Sequence, residues 1–374
     1  MRIVHYNLTT TSKEGGVETF VWELSRQQAR RGHDVTIIGG AGHVERAVEG
    51  VRVLRYPFVD RMAWRSLPPL RRHYELTKLL ERLSMLPAAL PALLGAHPDI
   101  LHLHKPYDFP VAPLLRLQGA RVVYHGHGED FYPLDWTLAP AIDGMVSCSS
   151  YNAATVQARY GREPVVVYNG FDQHHFTPRP VDPALRASLL APGERAILVV
   201  GRLQPWKGVQ YAIRALPLID PALPVRLLIG AEGTYRPELE RLVAELGLEG
   251  RATFLGTIPH RELPRYFALA DVVVGVSFAS ETFGMILCEA LGCARPVIAS
   301  DWAGFREVVL HEQTGLVVPA QDPAALARAI ERVFHAPEDA RRMAEAGRER
   351  VLRLFTWEAV ADRVDQVYMR LCAS

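Results

Sequence analysis

The chain has 374 residues, 42 of them basic and 41 acidic, for a net charge near +1. One compact core rarely holds so many residues, so two domains are expected. A composition of 49% hydrophobic and 22% charged residues excludes wholesale disorder, and the near-zero net charge excludes the broad basic field that nucleic-acid binding needs.

In chain order, short β-branched runs alternate with helical patterns. Strands are expected at Arg2–Asn7, Asp34–Gly39, Val51–Tyr56, Asp99–His104, Arg121–His125, Gly144–Ser147 and Pro164–Tyr168. A second series follows at Ala196–Val200, Val225–Ile229, Ala252–Leu255, Asp271–Val276, Pro296–Ala299 and Gly315–Val318. Several runs are apolar throughout, which suits parallel sheets covered on both faces. After Gly15-Gly16, residues Val17, Phe20, Val21 and Leu24 recur at helical spacing, and Trp357, Val360, Ala361, Val364, Val367, Tyr368 and Leu371 form a stripe on a last helix. The fold class expected is α/β, with two doubly wound Rossmann-like domains facing a cleft. Prolines 178, 180, 183 and 192 place the break near Thr177–Pro192. The expected domains are therefore 1–176, with helix 356–374 returning to it, and 177–355.

Four scattered cysteines suggest neither a disulfide framework nor a zinc site, and favour a reducing compartment. The N-terminus enters a strand pattern at once, so no signal peptide is expected. The best apolar run, Met85–Leu94, is short and reads as broken by Pro87 and Pro91, so no membrane span is expected. The preceding stretch carries Arg61, Arg65, Arg71, Arg72, Lys78 and Arg82 beside Leu76, Leu79, Leu80 and Leu83. Region 61–94 reads equally as a basic amphipathic surface for anionic lipid or as a helix packed on the first sheet.

Only four basic residues are lysines: Lys13, Lys78, Lys105 and Lys207. Genomic base composition or a warm habitat explains such a bias. Against it, a lysine is expected where a compact ammonium fits and a guanidinium fork does not.

Ligands of doubly wound sheets bind beyond the carboxyl ends of the strands. There the second half places Gly201-Arg202-Leu203-Gln204-Pro205-Trp206-Lys207-Gly208, two cations at a helix start that suit a diphosphate. Next comes Glu281-Thr282-Phe283-Gly284-Met285, leading into a helix that carries Glu289. Its glycine permits close approach of backbone N–H groups to a phosphate. Gly304-Phe305-Arg306-Glu307 forms a third loop-to-helix turn. The first half offers a glycine loop at Gly15-Gly16, read either as a phosphate approach or as a turn needing positive φ. It also offers the run Tyr124-His125-Gly126-His127-Gly128-Glu129-Asp130.

Together these motifs resemble the retaining GT-B glycosyltransferases of group 1 (family 4). The GRL-x-x-x-KG loop and the E-x7-E pair match at Gly201–Gly208 and Glu281–Glu289. Gly15-Gly16-Val17-Glu18, His127, Tyr168-Asn169-Gly170-Phe171-Asp172 and the final helix match further features, so the likeness spans nearly the whole chain. It implies that Arg202 and Lys207 grip a donor diphosphate and that Glu289 binds the nucleotide ribose. Glu281 meets the transferred sugar, and the N–H groups of Phe283, Gly284 and Met285 hold phosphate oxygens. Gly15 and Gly16 approach the donor, and the 256–262 segment, with Ile258, borders the base. His127 is the catalytic or sugar-positioning histidine, with His125, Glu129 and Asp130 on the acceptor side. The resemblance implies front-face transfer with retention. The chain lacks the Asp-x-Asp motif that holds a metal elsewhere, so neither a metal nor any other cofactor is expected. The expected partners are a UDP-, GDP- or ADP-linked sugar and a glycan, lipid-linked or small-molecule acceptor, in the cytoplasm or on the inner membrane face. A nicotinamide dehydrogenase would need GxGxxG after the first strand, which is missing. A sugar-nucleotide epimerase of the same architecture, or a catalytically dead homologue, is disfavoured by the intact motif set.

Overall fold

The alternation of apolar runs and helical stripes folds into two parallel sheets. The computed structural model describes residues 1–42 and 44–373; Ser374, the last residue of the expected final helix, lies outside them. The chain divides into two units, Met1–Asn169 with Trp357–Ser374, and Gly170–Thr356. Residues Gly170–Phe176, which precede the proline-rich stretch, go with the second unit. There the Phe171 N–H donates to the Phe355 carbonyl at 2.8 Å, and Phe176 packs on Phe267.

The first unit holds β1 (Arg2–Tyr6), β2 (Asp34–Gly40), β3 (Val51–Tyr56), β4 (Ile100–Leu103), β5 (Arg121–Gly126), β6 (Gly144–Ser147) and β7 (Val165–Val166). Their order is 3-2-1-4-5-6-7. The second holds β8 (Arg195–Val200), β9 (Val225–Gly230), β10 (Ala252–Phe254), β11 (Val272–Gly275), β12 (Val297–Ser300) and β13 (Leu316–Val318), in the order 10-9-8-11-12-13. Each order reverses once, between β1 and β4 and between β8 and β11. Such switch points splay the adjoining loops apart and make a crevice at the carboxyl edge.

In the first unit one sheet face is covered by the Gly16–Arg30 helix and the C-terminal helix Trp357–Ala373. Ile3, Ile100, Val123 and Val146 meet Phe20, Leu24, Trp357, Val360 and Val364 there. Each such fully buried side chain contributes about 1.5–3 kcal/mol. On the other face Met85, Ala89 and Leu93 of the Tyr74–Ala96 helix pack on Val4, Leu101, Leu103 and Val122.

Three expectations are corrected here. Pro87 and Pro91 do not break the apolar run: both lie inside the Tyr74–Ala96 helix and both are exposed. The helix is 23 residues long and apolar enough to cross a membrane by length and composition alone. On the solvent side, water can satisfy the carbonyls that prolines leave unpaired. The inward stripe is Thr77, Glu81, Arg82, Met85, Ala89 and Leu93, not the leucines 76, 79, 80 and 83, which are exposed or half-buried. Arg82 is consequently no surface cation. It is buried against Asp108 at 2.5 Å and donates to Asn7 Oδ1 at 2.9 Å. Gly15 and Gly16 also lack the positive φ considered for them. Gly15 is extended at φ 176°, and Gly16 opens the helix.

Candidate active site

In the second unit the motifs gather at the switch point. The loop after β8 passes through a short turn, Pro205–Lys207, and reaches Gly208 at φ 75°. A Cβ at Gly208 would run into the Val276 carbonyl beyond the end of β11, and the Phe278 N–H donates to the Trp206 carbonyl at 2.9 Å. Glycine at 208 thus allows the two loops to touch, and their contact brings Lys207 to Glu281. The Lys207 ammonium donates to Glu281 Oε2 at 2.6 Å, while Oε1 accepts the Gly284 N–H at 3.1 Å. The Glu281 backbone is held in turn by the Trp302 indole N–H at 3.1 Å.

Gly284, at φ 99°, precedes the Met285–Gly292 helix, and a Cβ there would lie 2.6 Å from the Phe305 ring. Gly304 has ordinary helical backbone, but any Cβ on it would meet the Phe283 backbone N. Its role is close approach: the third motif supports the Glu281–Gly284 turn from below. Glu289 lies further along the helix, 5% exposed, and pairs with His260 Nε2 at 2.8 Å. Ile258 covers Gly230, at the end of β9. Arg202 is exposed and forms no ion pair with a described residue. Burial pushes the neighbouring Cys288 thiol well up, so it is a poor nucleophile.

The first unit presents a different chemistry. Period-two alternation puts Ile3 and His5, Ile100, His102 and His104, and Val123, His125 and His127 on one face. Aliphatic side chains fill the amino half of that face and histidines the carboxyl half. His5 and His102 are direct register partners across β1 and β4. The rings of His125 and His127 stack at 4.3 Å and those of His102 and His104 at 4.4 Å. Burial holds His5 down to about 4 and His125 to about 3, and keeps His102, His104 and His127 well below the usual range, helped by neighbouring imidazoles. All five are neutral near pH 7. His127 alone is part-exposed, beyond the end of β5.

Glu129 accepts the Tyr151 hydroxyl at 2.6 Å. Asp130 binds two lysines, Lys78 on Oδ1 at 3.0 Å and Lys105 on Oδ2 at 2.6 Å. Burial raises its pKa, but the two ammonium groups outweigh it and hold the carboxyl well below its ordinary value. Lys78 is therefore not an outward cation of the 61–94 region. Gly15 and Gly16 are exposed ahead of the first helical turn. Sequence reading missed His260 as the Glu289 partner, the Trp302 brace and the double clamp on Asp130. Only His5, two residues from Ile3 on a strand, carried a signal that alternation could have used.

Residues 182–350 match the family model described as glycosyl transferases group 1, and residues 14–175 match that of glycosyltransferase family 4. A glycogen synthase of Mycobacterium tuberculosis is 30% identical over 385 residues, covering 95% of this chain and 91% of that protein. The chain is a group 1 glycosyltransferase. A GDP-mannose-dependent alpha-(1-6)-phosphatidylinositol monomannoside mannosyltransferase of Mycolicibacterium smegmatis is 28% identical, covering 95% of each chain. Among solved structures, sucrose-phosphate synthase from Thermosynechococcus elongatus superposes with TM-score 0.80 at 25% identity, over 100% of this chain and 99% of that one. A glycosyltransferase from Rickettsia africae shares the fold with TM-score 0.81 at 19% identity, over 99% and 98%. This glycosyltransferase thus has the GT-B architecture of two Rossmann-like sheets.

Proposed function

We propose that this transferase moves a sugar from a nucleotide-diphosphate donor to a glycan, lipid-linked or small-molecule acceptor, with retention and without a metal ion. The observation that carries this reading is the Lys207–Glu281–Gly284 constellation at the β8/β11 switch point. An ammonium has three donors, and Glu281 takes one, leaving two for the diphosphate. Arg202, exposed on the same loop, is the second cation. The N–H groups around Gly284, at a helix start, add favourable partial charge as the leaving phosphate becomes more anionic. Glu289, buried and oriented by His260, is placed to accept from the vicinal hydroxyls of a ribose, with Ile258 beside the base.

His127 meets the sugar, and Gly15 and Gly16 leave the first turn of their helix open to the donor. In the transfer step the bond from the anomeric carbon to the diphosphate oxygen breaks on the face where the acceptor hydroxyl attacks. The departing oxygen takes the acceptor proton. Glu281 supports the positive charge that develops between these events. The GDP-mannose named for the mannosyltransferase relative supports a nucleotide-sugar donor, and the glycogen named for the synthase relative supports a glycan acceptor. The test is a turnover screen over UDP, GDP and ADP sugars, with the anomeric configuration of the product read by NMR. An inverted product, or hydride or epimerase chemistry with any of them, overturns the reading.

The acceptor side includes a surface for anionic lipid. Met62, Leu67, Tyr74 and Leu76 are exposed at 62%, 46%, 42% and 42%, beside exposed Arg71 and Arg72. Each such cation adds on the order of 1 kcal/mol near an anionic membrane. Flotation with acidic liposomes at low salt is the expected result, and its absence removes the membrane from this account.

A further inference from the structure

Three imidazoles in the first unit form one hydrogen-bonded line with a carboxamide at its far end. His5 Nε2 lies 2.8 Å from Gln28 Oε1, His5 Nδ1 lies 3.1 Å from His104 Nε2, and His104 Nδ1 lies 3.3 Å from His127 Nε2. Gln28, His5 and His104 are each fully buried. The line crosses from the Gly16–Arg30 helix through β1 and the end of β4 to the loop after β5.

A neutral imidazole has one N–H and one bare nitrogen, and the partner on one side fixes which is which. The amide carbonyl at the end of this line can only accept. His5 must therefore carry its proton on Nε2, which leaves Nδ1 bare. His104 then donates from Nε2 to His5, and its own Nδ1 is bare. His127 in turn donates from Nε2 to His104. We propose that Gln28 is a positioning residue that, through His5 and His104, fixes His127 as the Nε2–H tautomer, in which Nδ1 is the ring's accepting nitrogen. The proposal rests on His127 serving the transfer step, as read above.

The surroundings keep the line in one state. Burial, and the repulsion expected between stacked rings, disfavour a proton on any member, so none carries the second N–H that would break the pattern. The Tyr368 hydroxyl lies at 2.5 Å from His102 Nδ1, and the Gln28 side chain lies against that hydroxyl. His102 therefore has its own partner on the C-terminal helix and does not compete for the carbonyl. Phe20 packs edge-on to His104, His125 and His127 and holds the rings in place.

The test uses the full chain, labelled with nitrogen-15 on histidine, and long-range proton–nitrogen spectra that read each ring's tautomer. In the wild type, His5, His104 and His127 are expected as Nε2–H. A wild-type His127 with its proton on Nδ1 overturns the proposal whatever the variants do. Gln28→Met removes the terminal acceptor with little change of size. It should turn His127 into a tautomer mixture and lower kcat about fivefold, the weight of one neutral hydrogen bond, with the donor KM unchanged. An unaltered His127 tautomer in Gln28→Met refutes the relay. His127→Ala separates the two levels: full turnover in that variant removes His127 from the reaction, while the spectra still judge the relay.

Discussion

The five neutral histidines of the first sheet make an acid-labile core, and His125 isolates the effect. In the unfolded chain each imidazole titrates near 6.5; in the folded unit burial holds His125 to about 3 and His5 to about 4, and the other three well below 6.5. A pKa depressed in the native state means that the unfolded chain binds protons first. The stabilisation is complete above about pH 6.5 and is lost as pH falls toward the native values. At about pH 5.5 His5 and His125 each cost about 1.4 kcal/mol, together about 3 kcal/mol, a sizeable share of a domain's typical 5–15 kcal/mol. Neither His125 ring nitrogen has a hydrogen-bond partner of normal geometry, although the Val167 backbone lies alongside, and Phe20 packs edge-on at 4.5 Å. His125→Leu should therefore change stability little at about pH 7.5 and be relatively more stable by about 1.4 kcal/mol at about pH 5.5. In urea that is a relative midpoint shift of about 0.5–1 M. Pulsed hydrogen exchange on peptides from β4 and β5 confines the readout to this unit. A variant-to-wild-type difference that is the same at both pH values would falsify the claim that His125 is buried neutral.

Four further outcomes are expected. Lys207→Ala and Glu281→Ala should each lower transfer on the order of 10²–10³-fold with unchanged circular dichroism, since Lys207 carries charge aimed at the leaving group and Glu281 charge aimed at the positive centre that develops on the sugar; near-normal turnover in either removes its role. Gly208→Ala forces a side chain into φ 75° and against the Val276 carbonyl, so thermal denaturation should show a loss of at least about 1–3 kcal/mol. Turnover should persist in excess EDTA, and loss restored by Mn²⁺ or Mg²⁺ would sink the metal-free reading. Glu289→Gln should raise the donor KM more than it lowers kcat, because a ribose contact far from the reacting carbon binds ground and transition states alike; equal falls in kcat and kcat/KM contradict that placement.

The fold was legible because both its signals are local. Apolar runs such as Ile197–Val200 and Val272–Val274 read directly as covered strands, and the Trp357–Leu371 stripe read as a packed helix. The Tyr74–Ala96 helix was misread for a physical reason. Proline is costly in a helix interior on average, but Pro87 and Pro91 fall on the exposed side. The inward stripe there is partly polar because Arg82 and Glu81 have partners only the fold supplies: Asp108 for Arg82, and the Arg61 N–H at 3.1 Å for Glu81. Hydrophobic periodicity cannot see a buried ion pair. In the site, the motif residues could be named from their resemblance to the family's motifs, but their contacts could not. Lys207 and Glu281 lie far apart in sequence and meet through loops after β8 and β11, and His260 reaches Glu289 from the loop after β10.

The four lysines of an arginine-rich chain now have a structural account in three cases. The chain uses arginine both to fork a carboxylate, as Arg226 does on Glu194 with both contacts at 2.9 Å, and to share one, as Arg26 and Arg46 do on the two oxygens of Glu23. Lysine appears at two carboxylates that gather several partners. Glu281 gives Oε1 to the Gly284 N–H and Oε2 to Lys207. Asp130 gives one oxygen to Lys78 and the other to Lys105. A guanidinium at either place is a bulkier, planar group than the ammonium it replaces and presents its donors in a rigid fork. Lys13 is half-buried, forms no ion pair with a described residue and has no such explanation. The consequence is specific for Lys207→Arg, which keeps the charge. If charge alone mattered, the variant would turn over normally. If the compact ammonium matters, the bulkier fork strains the Glu281–Gly284 turn and lowers kcat by at least about tenfold, about 1.4 kcal/mol. The same substitution at Lys105, which faces the Lys78–Asp130 pair, should release Lys78 and raise the Asp130 pKa toward its ordinary value, an upward shift that a carboxyl NMR titration reads directly. Normal kcat in Lys207→Arg together with an unmoved Asp130 in Lys105→Arg would return the lysine bias to base composition.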